Sequence, residues 1–127
     1  MYKNLTIASV LGVIAVILGA FGAHALKSKL SPEAMQSFET AVRYQFFHVL
    51  LLLFVNMFAG FSEKQKRTIS TFLIGGILLF SGSIYTIYLG GVPAKSIWFI
   101  TPLGGVLLIV GWILLCLRFV EKVIKKE

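Results

Sequence analysis

Charge is scarce in this chain. Asp, Glu, Lys and Arg make up 13% of its 127 residues, against about a quarter in an ordinary soluble domain. Only five residues are acidic, and no two of them form a legible acid–base pair. The one cysteine, Cys116, can form no internal disulfide. It lies deep in an apolar run, where it reads as a small hydrophobe and not as a reactive thiol. No zinc-type Cys/His spacing, Walker loop or dinucleotide glycine fingerprint is present. Enzyme activity therefore has no positive support, no cofactor is implied, and the expectation is a non-enzymatic protein. The net charge of +7 is not a nucleic-acid signature, because the basic residues sit at the ends of apolar runs.

Those runs are what the chain has in abundance. Leu5–Leu26 holds 22 consecutive residues without a charge, Thr68–Ala94 holds 27 and Ser96–Leu117 holds 22. A helix needs about 20 such residues to cross a hydrocarbon layer roughly 30 Å thick. A fourth run, Phe46–Phe61, has 16, and Tyr44 and Gln45 extend it to the lower end of that range. Open sheet edges are excluded at membrane depth, so the fold class is all-α. The expectation is one domain over residues 1–127, an integral membrane four-helix bundle with spans near 5–26, 44–61, 68–89 and 97–118. The "AHA" at Ala23–Ala25 matches a signal-cleavage pattern, but the apolar run is long for a signal core and is read as a retained span.

Local chemistry marks the helix ends. Ser31-Pro32-Glu33 offers a capping serine, a proline at the first helical position and an acid at the positive dipole end. A second helix from Pro32 to about Phe61 would be about 45 Å long, more than the hydrocarbon requires. Its amphipathic first third is expected to lie in the interface or to break away. "SEKQKR" reads as a tight basic turn and "GGVPAKS" as the next. Pro102 leaves two alternatives, a kinked last helix or an interfacial turn with the helix restarting there. Trp98, Tyr85 and Tyr88 suit an interfacial belt, while Trp112 lies deeper and reads as packing. Four crossings put eight Lys and Arg residues on the side of both termini and four on the other. The positive-inside rule then places both termini in the cytoplasm.

Small residues at helical spacing mark places where helices approach closely in lipid. Gly12, Gly19 and Gly22 share a face of the first helix, Gly75 and Gly82 a face of the third, and Gly104 and Gly111 a face of the fourth. On the second helix, Gln45, His48 and Asn56 fall within about 80° of one another. An amide or imidazole facing lipid would forfeit its hydrogen bonds, so this face is expected to point inward. Glu39 and Arg43, four apart on the opposite side, are a candidate ion pair. His24 and His48 come at comparable depth on consecutive antiparallel helices. That placement fits haem ligation, a metal site, a proton- or solute-handling pair, or plain interhelical bonding. The last is favoured, since His24 points about 150° from the glycine stripe of its own helix. Ser81, Ser83, Tyr85 and Thr101 could join Tyr44, Gln45 and the histidines in an outward-facing polar pocket.

In this order and spacing, "LGAFGAHAL", "FETAVRYQFFH", "LFSGSIY" and "ITPLGG…GW" resemble bacterial inner-membrane proteins. These are grouped as domain of unknown function 423, or uncharacterised protein family 0382, with eukaryotic relatives named transmembrane protein 256. The resemblance spans nearly the whole chain. It implies a small multi-pass inner-membrane protein with an uncleaved first span, and it supplies no catalytic residue. Its motifs fall on His24, Glu39, Tyr44, Gln45, His48, Ser81, Ser83, Tyr85, Thr101 and Pro102. The partners expected are the lipid bilayer and, within it, a second copy of the chain or another membrane protein.

Overall fold

Ser31 starts a helix as its chemistry requires. In the computed structural model, which describes residues 2–125, Ser31 is extended and its hydroxyl accepts from the Ala34 N–H at 3.1 Å. Four long helices follow one another along the chain: α1 (Tyr2–Leu26), α2 (Pro32–Met57), α3 (Glu63–Tyr88) and, after the single-turn α4 (Ala94–Ile97), α5 (Ile100–Lys125). No strand occurs among the described residues. Each long helix has 25 or 26 residues, about 39 Å at 1.5 Å per residue, and each is apolar enough to cross a membrane.

Two boundaries differ from the expectation, and one alternative is removed. The amphipathic start of α2 does not break away, because Phe38 and Ala41 are completely buried there. Phe38 packs against Gly22 of α1 and the ring of Tyr85, so this third of the helix belongs to the bundle. At its other end α2 stops at Met57, not near Phe61. The "SEKQKR" stretch is the first turn of α3 and not a loop. The Ser62 hydroxyl accepts from the Gln65 N–H at 3.1 Å, while the Gln65 side chain accepts from the Ser62 N–H at 3.0 Å. That reciprocal box satisfies two of the donors a helix start leaves over, and it moves the start from Thr68 back to Glu63. Of the two alternatives at Pro102, the chain takes the restart: α4 is separate, and Pro102 sits in the first turn of α5, where its missing N–H leaves no intrahelical bond unmade.

Within α1 the residues Leu18–Gly22 form a π-helical segment, with the Ala23 N–H reaching back to the Leu18 carbonyl. Such a segment inserts an extra residue into the turn. Gly12, Gly19 and Gly22 nevertheless all face α2, and His24 beyond them is exposed.

Helices pack in chain order, α1 on α2, α2 on α3, and α3 on α5, the last being the most extensive. Leu52, Val55, Leu73, Ile77, Leu108 and Leu115 form the core. Phe54, Phe58, Phe61 and Phe119 stack at the end where α2 turns into α3. The glycines lie where helices approach, with one exception. A methyl on Gly12, Gly19 or Gly22 would meet Val49, Val42 or Phe38 of α2, and one on Gly75, Gly104 or Gly111 would meet the facing helix of the α3–α5 pair. Around Gly82 nothing lies within 4 Å. The close approach on that helix is at Gly76 instead, against Leu108.

Candidate functional site

The inward face of α2 does what its spacing demands. Gln45, His48 and Asn56 are each buried, at 2%, 6% and 1% exposure, but they serve three separate polar groups at three depths.

Nearest the α1–α2 turn, the Gln45 amide donates to the backbone carbonyl of Leu11 at 2.7 Å and accepts from the Tyr85 hydroxyl at 2.6 Å. One side chain thus joins α1, α2 and α3. Beside it the Ser81 hydroxyl donates to the Ala41 carbonyl at 2.7 Å, and Ser83 shares a short hydrogen bond with Thr101 that ties α3 to α5. In the middle, His48 Nδ1 lies 2.6 Å from the Tyr44 carbonyl. A carbonyl only accepts, so Nδ1 carries the proton. Nε2 then has the lone pair that accepts from the Trp112 indole N–H at 3.0 Å. At the opposite end, near the N-terminus, the Asn56 amide donates to the Ser70 hydroxyl at 2.8 Å and to the Leu52 carbonyl at 2.9 Å, and accepts from Asn4 at 3.1 Å.

Among the described residues no buried side-chain nitrogen or oxygen lacks a partner. That matters because an unpaired amide in hydrocarbon would cost several kcal/mol.

The single outward pocket expected from the sequence is therefore not formed. His24 lies on the exposed surface at the end of α1, whereas His48 is turned towards α5. The two imidazoles share no site, and both nitrogens of His48 already have partners. Tyr44 is 41% exposed and stacks on Phe80 with ring centroids 5.0 Å apart. Glu39 and Arg43 are exposed and form no ion pair among the described residues. No group of three or more His, Cys, Asp or Glu side chains could hold a metal among those residues.

Asn4, Ser70 and Lys66 carry no strong signal in the sequence. Asn4 stands beside Lys3 and reads as flanking polarity. Ser70 is a single hydroxyl whose value depends on facing Asn56. The run of charges around Lys66 reads as a loop, but the residue lies on α3 with only 7% exposure, 3.6 Å from the Glu63 carboxylate. The capping motif that places it there was present as Ser62-x-x-Gln65. Trp112, whose depth suggests packing alone, also donates its indole N–H to His48.

This arrangement defines a small, all-helical, multi-pass membrane protein whose internal polar side chains bond helix to helix. The chain belongs to the family described as Protein of unknown function (DUF423), whose model matches residues 18–105. It is 42% identical to a UPF0382 membrane protein of Haemophilus influenzae, over 87% of this chain and 88% of that one. To the UPF0382 inner membrane protein YgdD of Escherichia coli K12 it is 38% identical, over 87% and 84%. A UPF0382 membrane protein of Staphylococcus aureus is 40% identical over 81% and 83%. No solved structure matches the chain significantly.

Proposed function

We propose that this is a non-enzymatic accessory protein of the bacterial cytoplasmic membrane, with both termini in the cytoplasm, acting through its helix faces on lipid and neighbouring proteins. One observation carries the reading. Val49, Leu52, Leu73 and Ile77, each no more than 3% exposed, form an apolar layer that separates the Gln45 and His48 groups from the Asn56 group. A proton or solute route needs a chain of polar groups or water across that depth, and this layer interrupts it. His48 supports the same reading, because accepting a proton or ligating a haem would displace Trp112 from Nε2.

Reconstituted protein is expected to give no proton or solute flux above that of empty vesicles at any pH between 5 and 8, and a purified sample to show no haem absorption. Flux that disappears in His48→Ala would overturn the proposal. For orientation, the excess of cations on the side of the termini gives a direct expectation. A periplasm-active reporter joined after Lys125 is expected to stay silent, and one inserted at Gly91 to be active. The reverse pattern would contradict the assignment.

A further inference from the structure

Where α1 begins and α3 starts its first turns, the helices leave a cleft of about 500 Å³ lined by Lys3, Asn4, Asn56, Glu63, Lys66 and Arg67 among others. Three cations face one carboxylate there. Lys66 is built into the wall, with its ammonium beside Glu63 at 3.6 Å. Lys3 and Arg67 are exposed and make no ion pair among the described residues. The floor is the Asn4–Asn56–Ser70 chain of hydrogen bonds. Only one hydrogen of the Asn4 amide is used in it, so a donor is left for an incoming oxygen.

The wall changes character with depth. Thr71, Ile7 and Ile74 complete the lining. Ile14, seven residues on from Ile7, and Leu78, four on from Ile74, continue the same helix faces, 40% and 56% exposed. No extensive packing joins α1 to α3, so this seam is open to the side. A basic, polar cleft at a helix end opening onto an apolar seam matches a molecule with an anionic head and hydrocarbon tails. Basic pockets between membrane helices bind anionic headgroups for this reason.

We infer that the cleft between the start of α1 and the first turns of α3 holds the headgroup of an anionic phospholipid, with Lys3 and Arg67 binding its phosphate, Asn4 donating to it, and an acyl chain lying in the α1–α3 seam. The inference goes beyond the accessory role and does not depend on it: flux in proteoliposomes would overturn that role and leave this site untouched.

The test uses the purified full-length protein in detergent, with lipid binding followed by native mass spectrometry and by the rise in melting temperature. Dioctanoyl phosphatidylglycerol is expected to bind at least about tenfold more tightly than dioctanoyl phosphatidylcholine. At about 1 kcal/mol per surface cation, Lys3→Gln and Arg67→Gln should each weaken it roughly fivefold. Both residues are exposed, so both variants are expected to fold. Glu63→Gln, which removes the one repelling charge, should tighten binding. Lys125→Gln, at the same end of the bundle but outside the cleft, should leave it unchanged. Equal affinity for the two lipids would overturn the inference. So would a loss in Lys125→Gln as large as that in Arg67→Gln, which would mean diffuse attraction. Inorganic phosphate binding as tightly as the lipid would replace the lipid site with a simple anion site.

Discussion

Gly104→Ala is expected to destabilise the bundle by about 3 kcal/mol, the upper part of the range for overpacking. A methyl at this position would fall on the backbone nitrogen of Phe80 and come within 2.7 Å of the Leu79 carbonyl carbon. Backbone cannot rotate away, so α3 and α5 would have to separate along their whole contact, the most extensive in the molecule. Gly111 shows the contrast, since a methyl there would meet the Leu73 side chain at 2.8 Å, which can change rotamer. Gly111→Ala should therefore cost less than Gly104→Ala. Gly82→Ala, with nothing within 4 Å, should be neutral or stabilise by up to about 1 kcal/mol through helix propensity. Unfolding curves in mixed detergent measure all three. Equal losses at Gly104 and Gly82 would mean that α3 and α5 do not meet at this register.

Gln45→Ala is expected to cost about 2 kcal/mol. Two hydrogen bonds are lost, the Tyr85 hydroxyl loses its acceptor, and a void opens where three helices meet. Leaving a buried group unpaired costs about 1–3 kcal/mol in soluble proteins. Interhelical bonds in a membrane protein average less, about 0.6 kcal/mol, because the unfolded chain also finds partners. Gln45→Leu should fall between wild type and Gln45→Ala, because it fills the volume and forfeits only the bonds. No change in either variant would place the Gln45 side chain outside the bundle.

Much of this architecture is visible in one dimension because a bilayer leaves few choices. Runs without charge fix the number of helices, and Ser31-Pro32 fixes where one begins. The inward face of α2 was legible for the same reason, since an amide or imidazole cannot face lipid cheaply. What each polar residue bonds to was not. Gln45 and Asn56 share a helical face but are 11 residues apart, about 16 Å along the axis, so one wheel sector became groups at different depths. His24 is exposed, as its position about 150° from the glycine stripe implies, so matching depth with His48 does not bring the two imidazoles together. The dense charges of "SEKQKR" mask the capping signal of Ser62 and Gln65 that puts Lys66 on α3. The basic cleft depends on where α1 and α3 come side by side, which no local pattern encodes.

The central claim is that the buried polar side chains of the spans, Gln45 foremost, are bonded across the helices and not turned to the lipid. A double-mutant cycle between Gln45→Leu and Tyr85→Phe, read from unfolding in mixed detergent, tests it most directly. The account predicts a coupling of about 0.6–1.7 kcal/mol between the two changes, the range seen for hydrogen bonds within membranes. Additive effects, with Gln45→Leu as stable as the wild type or more so, would contradict it.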